Sequence, residues 1–85
     1  ASMVELYIAV GDATSALKIA KRMVDRDDQL LDYYLDGRYA YHERDVQIAI
    51  YEMNLCVSAL KASKVNPAKY QALEAKFNKQ MGRLQ

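Results

Sequence analysis

The sequence predicts an all-α fold, a three-helix antiparallel bundle with a long first helix, built as one domain over residues 1–85. Three observations carry that expectation. Apolar residues recur at alternating spacings of three and four along most of the chain, the repeat of one face of a helix. One proline and three glycines in 85 residues are too few breakers for a fold of many short strands. A hydrophobic content of 52% with 27% charged residues describes a chain that folds. A chain this short buries only about 60% of its unfolded surface, so its core gains from association with another chain.

In the first segment Leu6, Ala9, Ala13, Ala16, Ala20, Met23, Asp27, Leu30 and Tyr34 keep the three-four alternation, with Asp27 as its one polar fault. Val10, Leu17, Val24 and Leu31 widen the stripe. The register passes through Gly11, which predicts one helix over about 3–35, roughly 50 Å long at ~1.5 Å per residue. Two points would interrupt it. Gly11-Asp12 is a helix stop followed by an N-cap, and Asp25-Arg26-Asp27-Asp28 is a charged run that suits a turn. Ala1-Ser2, ahead of Met3, read as a cloning scar and stand outside the fold argument.

The second segment, a helix over about 40–63, carries Tyr39, His42, Val46, Ala49, Met53, Cys56 and Leu60 at the same spacing. A second apolar row, Tyr41, Ile48, Leu55, Ala59 and Ala62, lies on another side, as in a central helix or one with a further partner. The third helix, over about 67–84, opens on Asn66-Pro67, an N-cap followed by proline at the first helical position. Its stripe is Tyr70, Leu73, Phe77, Met81 and Leu84. The short link Lys64 to Asn66 makes the second and third helices antiparallel neighbours.

Charge is unevenly distributed. Residues 1–60 hold six Lys/Arg against ten Asp/Glu, a balance of −4, whereas residues 61–85 hold six against Glu74 alone, a balance of +5. In an up-down-up bundle the acidic end of the first helix (Asp25, Asp27, Asp28, Asp32, Asp36) lies level with the basic end of the third (Lys76, Lys79, Arg83). The asymmetry is then largely internal complementarity, with Asp27 in reach of Lys79 or Arg83. The alternative is a nucleic-acid interface made of Lys61, Lys64, Lys69, Lys76, Lys79 and Arg83.

No reaction is legible. His42 and Cys56 lie fourteen residues apart on one predicted helix, about 21 Å along its axis, so they do not form a dyad. Cys56 reads as a small core residue and His42 as a helix-start side chain. Asp25, Asp27, Gln29 and Asp36 match a calcium-loop template at four positions, but Leu30 stands where the template needs glycine. There is no Glu-x-x-His pair, no phosphate-cradling glycine loop and no serine nucleophile motif. No catalytic residue, metal ligand, cofactor or small-molecule substrate is therefore expected. No apolar run reaches the ~18–20 residues of a membrane span, and no secretory signal is expected. The single cysteine mildly favours a reducing, cytoplasmic setting.

Gly11-Asp12-Ala13-Thr14-Ser15-Ala16-Leu17 and Arg44-Asp45-Val46-Gln47-Ile48-Ala49-Ile50 stand thirty-three residues apart. With Tyr34-Leu35-Asp36-Gly37-Arg38-Tyr39-Ala40-Tyr41 before the second, residues 31–57 resemble a tetratricopeptide repeat. The family pattern's glycine before Asp45 is Arg44 here, and Lys61 stands at its terminal proline. The resemblance implies an alternative fold, a short TPR-like array of helical hairpins. In that fold the first helix breaks at 25–28, residues 33–41 are helical, and the chain binds peptides.

Four of the seven tyrosines fall between Tyr33 and Tyr41, around Gly37. Tyrosine suits a contact surface, since its ring is apolar and its hydroxyl seeks a partner. The register assigns Tyr34 and Tyr39 to the seam beside Leu84 and leaves Tyr33 and Tyr41 toward a partner. The expected function is a non-catalytic protein–protein interaction module, an adaptor, chaperone-like or modulator protein that self-associates. Its expected partner-binding residues are Tyr33, Arg38, Tyr41 and His42 at one end and Leu6 and Val10 on the overhang of the first helix.

Overall fold

The computed structural model describes residues 2–37 and 42–85. Four α-helices follow one another: α1 (Met3–Ala9), α2 (Ala13–Leu35), α3 (Glu43–Lys61) and α4 (Gln71–Leu84), with a 3-10 turn at Pro67–Lys69 before the last. Among the described residues there is no strand.

The long first helix does not run through Gly11. Ser2 starts α1 through a reciprocal box: its hydroxyl accepts from the Glu5 amide at 3.2 Å, and the Glu5 carboxylate accepts from the Ser2 amide at 3.1 Å. Ser2, set aside in the sequence reading, is thus part of the fold. At the other end Gly11 adopts φ +82°, in the left-handed region. Its N–H donates to the Ile8 carbonyl at 3.0 Å and the Asp12 N–H to the Tyr7 carbonyl at 2.8 Å, the paired bonds that close a helix C-terminus. Asp12 then accepts from the Ser15 amide at 3.0 Å and caps α2. The apolar register could not reveal this break, because a helix that turns back also needs an apolar face.

From Ala13 to Leu35 the helix is continuous. The run 25–28 does not break it, because its charges find partners: Asp25 with Lys21 and Lys76, Arg26 with Glu52, Asp28 with Lys79. That continuity removes the break on which the TPR-like alternative depends. Gly37, at φ +77°, stands just past the α2 C-cap Asp36, so Asp36-Gly37 is a helix end and not a helix interior. The predicted third helix begins as a 3-10 turn: Asn66 accepts from the Ala68 amide at 3.0 Å, and regular α-helix starts only at Gln71.

The core is formed by Val4 of α1; Ala16, Ala20, Val24 and Leu31 of α2; Val46, Ala49, Met53, Cys56 and Leu60 of α3; and Tyr70 and Leu73 at the start of α4. In α3 the buried set is the predicted stripe from Val46 to Leu60 with Val57 added, while His42, placed in that stripe, is exposed and Tyr39 lies outside the described residues. In α2 the buried set is shifted: Val24 and Leu31 are buried, while Leu30 is exposed. The buried steps 16, 20, 24, 27, 31 lie nearer the period of a straight helix, about 3.6, than the heptad's about 3.5. Alanines at 16, 20 and 49 let the α2 and α3 backbones approach.

Contacts fix the directions. Arg26 meets Glu52, and Met23 lies against Cys56, so α2 and α3 are antiparallel. Asp25, Asp28 and Asp32 meet Lys76, Lys79 and Arg83 at a constant offset, so α4 runs with α2. The short α1 turns back onto α2 and α3. The molecule extends over 42 × 23 × 18 Å.

Candidate functional site

Among the described residues no group of three His, Cys, Asp or Glu side chains is placed to hold a metal ion. Nor is any helix among them long and apolar enough to cross a membrane. Cys56 is fully buried, and burial, reinforced by Asp27 and Glu52, pushes its thiol up to about 11. It is a core side chain whose thiolate is not accessible. His42 is exposed at the N-cap of α3, on the same helix as Cys56, and its side chain makes no capping bond.

The remaining candidates are surfaces. On α1, Val4, Tyr7 and Ile8 face the core. A flanking face carries Met3 and Leu6, continued by Val10 at the C-cap, at exposures of 51%, 49% and 77%. Their spacing, three then four, aligns them as one outward apolar row. The overhang expected at Leu6 and Val10 is therefore not an unpaired helix end but the exposed flank of a helix whose neighbouring face is already packed.

Tyr33 is 50% exposed at the C-terminal end of α2, its ring edge-on to Tyr34 at 5.8 Å between centroids and 72° between planes. Arg38, Tyr39 and Tyr41 lie outside the described residues. The predicted partner-binding residues do not form one site. Leu6 and Val10 sit with α1 beside the N-terminal part of α2, and Tyr33 and His42 at the C-terminal end of α2.

Most of the basic C-terminal segment is occupied. Lys61 pairs with Glu74, Lys76 with Asp25, Lys79 with Asp28 and, at 3.9 Å, with Asp32, and Arg83 with Asp32. Lys64 and Lys69 have no ion pair among the described residues. Hydrogen bonds from Lys76 and then Lys21 hold the Asp25 carboxyl below its ordinary value, and the Asp25 bond raises Lys76. Asp28 is desolvated, which opposes ionisation, yet bonds from Gln80 and Lys79 still hold its carboxyl low.

Two buried polar residues lie inside the bundle: Gln80, which the sequence did not single out, and Asp27, which it did as the fault in the stripe. Gln80 is fully buried and donates through Nε2 to Asp28 Oδ1 and Asp32 Oδ1, both at 2.8 Å. Its signal was position: it lies seven residues after Leu73, two helical turns along the same stripe. Asp27 is 1% exposed. It was placed toward Lys79 or Arg83; the structure turns it instead to α3, where its Oδ1 accepts from Arg26 Nε at 3.4 Å and Arg26 also holds Glu52 at 2.8 Å. Asp27 Oδ2 and Gln80 Oε1 are buried with no hydrogen-bond partner among the described residues. Burial, and next the nearby Glu52 charge, push the Asp27 carboxyl up to about 6 against the opposing pull of Arg26.

No protein-family model, curated protein or solved structure matches this chain.

Proposed function

We propose that this chain is a non-catalytic protein–protein interaction module that self-associates through the outer face of α1, as a small adaptor, chaperone or modulator would. The observation that carries this reading is the row Met3, Leu6 and Val10, exposed on a helix whose neighbouring face is packed. Isolated exposed apolar side chains are ordinary, but an aligned row on a short helix is suited to covering by another chain. Pairing α1 with α1 across a two-fold axis would bury the row on both copies at once. A small core makes that burial worth more.

The nucleic-acid alternative draws less support from the structure, since four of its six cations already face carboxylates. Light scattering at high micromolar concentration tests the proposal. The expected result is a dimer mass for the wild type and a monomer mass for Leu6→Glu, with unchanged helical circular dichroism. A monomeric wild type across that range counts against self-association.

A further inference from the structure

We infer that a notch between α2 and α3 receives one cationic side chain, an arginine, from a protein partner. This rests on the interaction-module reading and adds the partner's chemistry. The notch, about 150 Å³, is lined by Asp27, Asp45 and Glu52 together with Leu30, Tyr34, Ile48 and Ala49. Asp27 and Ala49 are buried and form its floor; Asp45, Leu30 and Ile48 are exposed and form its rim.

The floor is chemically unfinished. A buried carboxylate oxygen without a donor costs about 1–3 kcal/mol, more when charged. Asp27 Oδ2 is such an oxygen, and Oδ1 has only the long 3.4 Å contact with Arg26. Native interiors rarely leave such a group; Oδ2 is closed to solvent at the notch floor, and a donor arriving from outside would complete it once a side-chain shift opens that floor. Charge points the same way. Three carboxylates line the notch and Arg26, bridging Asp27 and Glu52, offsets one, leaving two negative charges when all are ionised. The cations of α4 do not supply the balance, because they are engaged with Asp25, Asp28 and Asp32.

The form of the cation follows from the lining. The carboxylates are not arranged as metal ligands among the described residues. A charge carried on an aliphatic stem suits the notch better, since Leu30 and Ile48 offer apolar rim for the stem. A guanidinium has the planar fork that matches carboxylates and lies well on an aromatic ring such as Tyr34, which an ammonium does less well. The volume admits one long side chain and no folded element.

The test uses the full chain and a fluorescein-labelled hexapeptide with one arginine between two leucines, read by anisotropy. The control peptide carries citrulline, which keeps the shape and loses the charge. The arginine peptide is expected to bind at least about tenfold more tightly than the citrulline peptide, the scale of a charge-assisted bond. Asp27→Asn and the exposed-site variant Asp45→Asn are each expected to weaken it, and Leu6→Glu to leave it unchanged. Equal affinity for the two peptides, no binding at millimolar peptide, or wild-type affinity in both notch variants overturns the inference. If the arginine peptide fails while Leu6→Glu still abolishes a wild-type dimer, the notch is lost and the module reading stands. A wild type that binds the arginine peptide but never dimerises gives the reverse.

Discussion

Asp27 and Asp28 are consecutive, both buried and both on α2, yet they answer to opposite neighbours. Asp28 faces α4, where Lys79 lies at 2.9 Å and the Gln80 amide at 2.8 Å, and its carboxyl is held low. Asp27 faces α3, which brings it Glu52 and no donor; only Arg26, its neighbour on α2, reaches it, at 3.4 Å, and burial and then Glu52 raise its carboxyl to about 6. The helix rotates by about 100° between them, enough to move one carboxylate from a seam that supplies it with donors to one that does not. Burial alone thus does not fix what a charge does to a fold; the supply of donors does. The α2–α4 seam supplies donors to its carboxylates, although Gln80 Oε1 within it is buried without a partner among the described residues. The α2–α3 seam is apolar along its length, with one polar gap that opens onto the notch.

That contrast can be broken at several points. Met53→Ala strikes the apolar seam. Met53 is fully buried in the core, so the loss is expected at about 2–5 kcal/mol, measured by urea unfolding. The loss should be nearly the same in low and high salt, because no charge is involved. A strong salt dependence would mean that the α2–α3 seam is held by charge after all.

Gln80→Leu strikes the polar seam. It removes the amide that donates to both Asp28 and Asp32 while keeping volume near constant, and about 1–3 kcal/mol is expected to go. A neutral result would show that Lys79 and Arg83 suffice for those carboxylates. The ion pairs of the seam are half-exposed, and each alone is worth less than the buried amide.

Much of the fold was legible in the sequence and some of it was not, for physical reasons visible at single residues. Val46, Ala49, Met53, Cys56 and Leu60 were placed in the core by spacing alone, since a helix packed along its whole length must repeat its apolar face. The complementarity of Asp25, Asp28 and Asp32 with Lys76, Lys79 and Arg83 followed from direction and length. The break at Gly11 was readable only as one of two options, because apolar spacing is blind to a turn that preserves register. The notch was not legible. Asp27 stood out as a polar fault, but its orientation depends on a rotation smaller than one residue's step, and the drift from a heptad to a straight helix moved it from α4 to α3. Leu6 and Val10 were singled out as exposed, and they are exposed, on a helix folded back and not extended.

The most direct measurement of this contrast is the unfolding free energy of Asp27→Asn and Asp28→Asn beside the wild type, from pH 4 to pH 8. A carboxyl whose folded pKa is raised costs stability as pH climbs from its unfolded value, near 3.8, through about 6. Asp27→Asn is therefore expected to be more stable than the wild type at pH 8, by about 1–2 kcal/mol, with the gap closing toward pH 4. A carboxyl held low contributes stability above its unfolded value and loses it as pH falls through its depressed value. Asp28→Asn is therefore expected to be less stable than the wild type at pH 8. Opposite signs at pH 8 are the predicted result; two destabilised variants, or an Asp27→Asn that keeps the wild-type slope between pH 4 and pH 6, would contradict it.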